Sequence, residues 1–150
     1  MSTPPLAGIK VVEFGQNLAG PYCGQILAFL GADVVKVERP EGDDARSWGP
    51  PFVEGDALSF IALNRGKKSI TCDLGVKAQC DALIERIGSA DIFVHNLRAD
   101  VPAKFGIDGA ALTKRFPRLI YADLGAFGHV GPWKDRPGYE PGAASPNLNW

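Results

Sequence analysis

No stretch of this chain approaches the roughly 18 consecutive apolar residues of a membrane-spanning helix. The opening Met-Ser-Thr-Pro-Pro also lacks the charged and apolar regions of a secretory leader. The expectation is a cytoplasmic protein with no membrane partner. Cysteine is scarce: Cys23, Cys72 and Cys80 are odd in number, widely spaced and form no CxxC. Neither a disulfide framework nor a zinc site is expected, and buried free thiols are what remain. The two histidines, His95 and His129, lie too far apart to form a ligand motif, so no metal is expected. A charge excess is missing as well. Sixteen Lys and Arg against seventeen Asp and Glu leave a net charge of −1, which gives no basic field for nucleic acid.

What the chain does have is a strand–helix–strand pattern near its start. Ile9 to Phe14 is an apolar run interrupted only by Lys10 and Glu13, and a glycine-bearing turn follows over Gly15-Gln-Asn-Leu-Ala-Gly20. Tyr22, Ile26 and Leu30 then recur at four-residue steps, with Cys23 and Leu27 on the adjoining row. This predicts a helix with one broadly apolar side. Pro21 suits the first helical turn, and Gly31 suits the position just past the helix end. A second apolar run, Val34 to Val37, completes a βαβ unit and predicts a parallel strand pair with a right-handed crossover.

At 150 residues there is room for one domain with a core. The 18 glycines and 12 prolines gather at 40–55, 125–138 and 141–146, and are too few for a disordered chain. Residues 38–58 read as a long surface loop, acidic through Glu41, Asp43, Asp44, Glu54 and Asp56, with Trp48 and Phe52 as aromatic anchors. A loop of that length is either functional or a solvated connection. Residues 59–64 read as a helical turn or a buried extended piece. Arg65-Gly-Lys67-Lys68 reads as a solvated turn or, beside a strand end, as an anion contact. Ser69 to Asp73, Asp91 to His95 and Leu119 to Leu124 are predicted strands. Val76, Cys80, Leu83, Ile84 and Ile87 mark a helix stopped by Gly88, and 101–107 and 109–116 are shorter helical candidates. The order predicts an α/β fold, an open and mostly parallel sheet with helices on both faces.

The first βα turn is where a nucleotide phosphate would rest on backbone N–H groups. Gly15 and Gly20 are spaced wrongly for the dinucleotide fingerprint. They have the P-loop spacing, yet Pro21-Tyr22 stands where Lys and Ser/Thr must hold phosphate and Mg2+. Glu38 has the place of a ribose-binding acid but lacks the glycine pattern that goes with it. GxSxG is missing too. A dinucleotide dehydrogenase, an NTPase and an α/β-hydrolase are all disfavoured.

A series of segments points elsewhere. It begins with Leu18-Ala-Gly-Pro21, Leu30-Gly-Ala-Asp33, Val37-Glu-Arg-Pro40 and Gly42-Asp-Asp-Ala-Arg46. It continues through Asn64-Arg-Gly-Lys-Lys-Ser-Ile70, Val94-His-Asn-Leu-Arg98, Gly125-Ala-Phe-Gly-His-Val-Gly-Pro132 and Asp135-Arg-Pro-Gly-Tyr-Glu140. In this order, over residues 6–140, the series resembles the class III CoA-transferases, or CaiB/BaiF family. The resemblance implies a Rossmann-like, CoA-binding portion of a large domain at 1–140, with 141–150 an irregular tail or a truncation. It implies transfer of CoA between an acyl-CoA thioester and a small carboxylic acid through an aspartyl-CoA intermediate, in an interlocked homodimer. Coenzyme A or acyl-CoA enters as substrate. The nucleophilic aspartate falls past Trp150 in the family pattern, so this chain alone is expected to be inactive. A 2-methylacyl-CoA racemase-like enzyme and a non-catalytic CoA-binding module are the alternatives.

The same resemblance implies site residues. Asn17 and Leu18 would border the CoA and acyl site; many relatives have Gln at the Leu18 position, and leucine cannot make its hydrogen bond. Arg39 would reach the adenosine or phosphate part of CoA, where a guanidinium gives charge-assisted hydrogen bonds. Its alternative is a surface arginine paired with Glu38 or Asp43. Cys72, Asn96, Leu97, Lys104 and Phe105 match positions lining the CoA channel, with core packing the alternative for Cys72, Leu97 and Phe105. Tyr139 and Glu140 fall in the active-site motif as supporting catalytic residues. Racemases place His where Tyr139 stands, because they need a base for the α-proton. Transferase is therefore favoured over racemase.

Overall fold

The computed structural model describes residues 3–128, 130–134 and 136. Along the chain these form β1 (Lys10–Phe14), α1 (Ala19–Phe29), β2 (Asp33–Glu38), a small hairpin of β3 (Phe52–Val53) and β4 (Asp56–Ala57), and α2 (Leu58–Asn64). There follow β5 (Lys68–Thr71), α3 (Lys77–Gly88), β6 (Ile92–His95), α4 (Asp100–Phe105), α5 (Gly109–Arg115) and β7 (Ile120–Asp123). The main sheet has the order β5-β2-β1-β6-β7, and every pairing in it is parallel.

Side chains alternate across a strand, and both faces of this sheet are covered. Val12, Phe14, Val37 and Phe93 meet Leu83 and Ile87 of α3 and Leu112 of α5 on one face. Val11, Val34 and Val94 meet Cys23, Leu27 and Ala28 of α1 on the other. Burial on both faces is why β1 and β2 read as nearly continuous apolar runs. Each such side chain contributes about 1.5–3 kcal/mol when removed from water.

The expected βαβ unit is present, but α1 is turned differently from the sequence expectation. The Cys23 and Leu27 row packs on the sheet, whereas Tyr22 is 56% and Ile26 44% exposed, with Leu30 exposed beside them. The buried side includes Gly20, Pro21, Gly24 and Gln25. Glycine is required at two of these positions because the helix comes very close: a Cβ on Gly24 would stand 2.6 Å from Glu13 Oε2 and one on Gly20 2.7 Å from the Gly15 Cα. Glycines leave no apolar signature, so the outward row carried the visible periodicity. Gly31, at φ +98°, ends the helix as its position predicts.

Residues 38–58 are more ordered than an open loop. Asp43 caps a 3-10 turn at Asp44–Ser47 by accepting the Ala45 N–H, and Glu38, Asp43, Ala45 and Ala57 are buried. Trp48 and Phe52 do not anchor it; both are more than half exposed. Residues 59–64 belong to α2. The basic turn at 65–68 is not an anion site at the sheet's ligand-binding edge. Lys68 pairs with Asp33, where β5 and β2 begin, and Lys67 turns inward. Tyr139, Glu140, His129 and the segment 141–150 lie outside the described residues.

Candidate functional site

From β1 the chain winds outward to β2 and β5, then crosses back to β6 and β7, so the winding reverses between β1 and β6. Open α/β sheets hold their ligands beyond the carboxyl ends of the strands near that point. A cleft of about 300 Å³ lies there. Four strand ends supply its walls: Phe14 closing β1 with Gln16 after it, Arg39 and Glu41 after β2, Cys72 and Asp73 after β5, and Leu97 and Phe105 beyond β6. Its size suits part of a large nucleotide substrate rather than the whole.

Arg39, Cys72, Leu97 and Phe105, which the family resemblance assigns to the CoA site, line this one cleft. Leu97 and Phe105 also pack against the core, so the two roles are not exclusive. Cys72 is a wall rather than a nucleophile. Its thiol donates to the Gln79 carbonyl at 3.6 Å, and burial, with Cys80 and Asp73 nearby, pushes its pKa up. Asn96 works on the neighbouring loop: its Nδ2 donates to the Gln16 carbonyl and its Oδ1 accepts the Gln16 N–H, both at 2.8 Å. This pair of bonds closes the gap between β1 and β6. Asn17 follows, at φ +64°, and Leu18 is half exposed. Lys104 is exposed, 5.2 Å over the Phe105 ring, and is not among the residues lining the cleft.

Arg39 pairs with neither Glu38 nor Asp43. Its Nε donates to the Gly42 carbonyl at 3.0 Å, its guanidinium meets Asp44, and Glu41 lies 3.9 Å away. The side chain is 40% exposed, so its guanidinium is partly open to solvent while those two carboxylates hold it. Glu38 is committed elsewhere. Arg46 grips it with two hydrogen bonds of 2.8 Å, and Ser69 donates to it at 2.6 Å. Burial pushes the Glu38 pKa up, but the Arg46 and Ser69 bonds and the Asp43 N–H outweigh it and hold the carboxyl at about 2. It has no free lobe for a ribose.

Behind the Gly15–Gly20 turn lies a buried ionic cluster. Lys36 Nζ donates to the Gly15 carbonyl at 2.7 Å and to Glu13 Oε1 at 3.3 Å. Asp43 Oδ2 sits 2.9 Å from the same ammonium, close enough for strong attraction although poorly directed as a hydrogen bond. Lys67 Nζ donates to Glu13 Oε2 at 2.6 Å, to the Pro21 carbonyl at 2.7 Å and to Asn64 Oδ1 at 2.9 Å. Burial pulls the Lys67 pKa down against the opposing pull of Glu13. Two ammonium groups and two carboxylates balance in charge, which is the condition for keeping them out of water. They clamp the turn at both ends, through Gly15 and Pro21. The Glu13 carboxylate also lies against Gly15 and Gly24, so the space beside α1 already holds an anion belonging to the protein.

The sequence pattern of CoA-transferase family III matches residues 6–145. The chain belongs to this family. A relative in Agrobacterium fabrum, named succinate–glutarate CoA-transferase, is 47% identical over 144 residues, which make up 91% of this chain and 36% of that protein. The human succinyl-CoA:glutarate CoA-transferase is 36% identical over 137 residues, covering 91% of this chain and 31% of that protein. A crystal structure of a CaiB/BaiF family protein from Brucella suis superposes with a TM-score of 0.87 at 46% identity, over 92% of this chain and 38% of that one. The chain therefore spans about a third of the length of these relatives.

In this family III chain the residues that sequence reasoning passed over are Gln16, Glu13, Lys36 and Asp43. Glu13 had looked like an interruption of an apolar strand, Lys36 was absorbed into the apolar run Val34 to Val37, and Asp43 was one acid among several in a long surface loop. A signal was available: the apolar runs of two strands buried on both faces each enclose one charge, Glu13 and Lys36, of opposite sign. Buried charges are paired, and those two residues are in register across the ladder.

Proposed function

We propose that this chain is the CoA-binding portion of an acyl-CoA:carboxylate CoA-transferase. The observation that carries the proposal is the cleft at the carboxyl ends of four parallel strands, with Arg39 at its edge and Cys72, Leu97 and Phe105 along its walls. Arg39 takes the phosphate-bearing adenosine end of CoA, and the apolar walls take the uncharged arm. The turn at Gln16, Asn17 and Leu18 then borders the thioester. The names of the relatives support short dicarboxylic acids as the acyl partners.

The chemistry that the family resemblance implies is covalent exchange at a carboxylate. An aspartate oxygen attacks the acyl carbonyl and expels CoA thiolate, leaving a mixed anhydride. The thiolate attacks the aspartyl carbonyl and releases the first acid. The second acid's carboxylate attacks the aspartyl-CoA thioester, expels thiolate again and forms a second anhydride. The thiolate then attacks the new acyl carbon, which frees the aspartate. The resemblance implies an aspartate beyond residue 150, and on this reading these 150 residues bind CoA without exchanging it. Tyr139 and Glu140 support the reacting groups in this scheme. The whole protein acts as an interlocked homodimer in the cytoplasm; the uncovered row Tyr22, Ile26 and Phe29 is the kind of surface such an assembly buries.

Calorimetric titration of the chain with CoA tests the binding proposal. Saturable binding that weakens in Arg39→Ala is expected, and no measurable affinity overturns it. CoA exchange catalysed by the 150-residue chain alone overturns the placing of the nucleophile.

A further inference from the structure

Two walls of the cleft come from segments far apart in sequence, Phe14 and Gln16 at the end of β1 and Arg39, Pro40 and Glu41 after β2; Asn17 and Asp43 follow just behind them. One buried side chain joins them. Asp43 Oδ1 accepts the Asn17 N–H at 2.9 Å and the Ala45 N–H at 3.0 Å, while the Asp43 N–H donates to Glu38 Oε2 at 3.1 Å. Its other oxygen lies 2.9 Å from Lys36 Nζ, which in turn holds the Gly15 carbonyl. The Asp43 side chain has no exposed area. Arg39 belongs to the same segment: the Gly42 N–H donates to the Arg39 carbonyl at 2.9 Å, and Arg39 Nε donates back to the Gly42 carbonyl. Asp43 is the next residue. A shift at Arg39 therefore reaches Asp43 within one turn and Asn17 through one hydrogen bond.

Asn17 is held at a costly backbone angle. Its φ of +64° is in the left-handed region, which costs a non-glycine residue on the order of 1 kcal/mol. Its Oδ1 is buried and has no hydrogen-bond partner among the described residues. Backbone of this kind persists only where its surroundings over-determine it. Here the surroundings are Asp43 on the Asn17 N–H and Asn96 on both backbone groups of Gln16.

We propose that Asp43 is a positioning residue that couples the two walls. When the nucleotide end of CoA occupies the Arg39 segment, Asp43 fixes the Asn17 turn, where the thioester is placed. Asp43 touches no substrate and acts through Asn17. The inference rests on the CoA-binding proposal for what fills the Arg39 wall.

The test is amide hydrogen exchange at Asn17, followed by NMR on this chain, with adenosine 3′,5′-bisphosphate as probe. That molecule carries the nucleotide end and neither the pantetheine arm nor an acyl group. At saturation it slows Asn17 exchange by roughly fivefold or more, the lower edge of usual coupling between sites. In Asp43→Ala, which has no acceptor for the Asn17 N–H, the slowing disappears at saturating probe. An Asp43 that only stabilised the fold would change exchange equally with and without the probe. Should Asp43→Ala not fold, Asp43→Asn serves instead: its amide oxygen still accepts the Asn17 N–H but as a neutral and weaker acceptor, so the slowing shrinks. Probe binding with unchanged Asn17 exchange in the parent chain overturns the coupling and leaves the CoA proposal standing. Failure of the probe to bind overturns the nucleotide assignment of the Arg39 wall, and the coupling with it.

Discussion

Glu13 and Lys36 are registered partners across the β1–β2 ladder, and their charged ends meet at 3.3 Å with side chains 0% and 1% exposed. Neither charge has water to fall back on. Lys36→Met leaves Asp43 without its ammonium and Glu13 with only Lys67. Breaking such a pair from one side costs about 3–5 kcal/mol, because a buried charge is left uncompensated. Urea unfolding should show that loss for Lys36→Met. The double variant with Glu13→Gln should lose less than the two single variants together. Strictly additive losses would mean that the two residues are not energetically joined.

That pair also shows what the sequence could and could not reveal. The parallel sheet was legible because apolar runs, helical spacing and the Gly31 stop all agree, as they do in a chain whose levels are consistent. The cleft was legible through its motifs: Arg39, Cys72, Leu97 and Phe105 are spread over 67 positions, and the ends of β2, β5 and β6 bring them together. Which of the loop acids is buried was not legible. Asp43 sits among Glu41, Asp44 and other acids, and composition cannot tell which member of such a run turns inward. The orientation of α1 was hidden for the opposite reason, since the side it buries is largely glycine and proline, with Gln25 among them.

Gly24→Ala reverses a familiar sign. Alanine in place of an exposed mid-helix glycine ordinarily stabilises by about 1 kcal/mol. Here the new Cβ would stand 2.6 Å from Glu13 Oε2 and 3.2 Å from Glu13 Cδ. The carboxylate cannot swing away, because Lys36 and Lys67 hold both of its oxygens. A loss of roughly 1–3 kcal/mol is expected, as for other overpacked sites. A rise in the thermal midpoint would show that α1 can lift from β1 at no cost.

Acid should act through Glu38. Its folded pKa of about 2 lies below the ordinary value of 4.5, so the folded state holds the proton less readily than the unfolded one. The associated stability is full above pH 4.5 and is lost as pH falls towards 2. The difference is worth about 2–3 kcal/mol for a carboxyl this well buried. Unfolding free energies measured from pH 6 down to pH 2 should fall less steeply in Glu38→Gln than in the parent chain. Parallel curves would assign the acid loss to other carboxylates.

Two arginines seven positions apart should separate binding from stability. Arg39 makes surface ion pairs with Asp44 and Glu41 on a side chain 40% exposed, and such pairs are worth little. Arg39→Ala should therefore leave the unfolding midpoint nearly unchanged. It should weaken CoA about tenfold, the worth of one charge-assisted hydrogen bond. Arg46 holds the buried Glu38 with two bonds, reaches Asp56 at 2.7 Å and stacks 3.9 Å from the Phe60 ring centre. Arg46→Ala strands that carboxylate and should cost about 2–3 kcal/mol of stability. Its effect on CoA should be smaller than that of Arg39→Ala, because it is not among the residues lining the cleft. Melting curves and calorimetric titrations of both variants decide the matter. If Arg39→Ala melts early and binds CoA normally, Arg39 is a structural residue and the nucleotide end of the substrate must be sought at another wall.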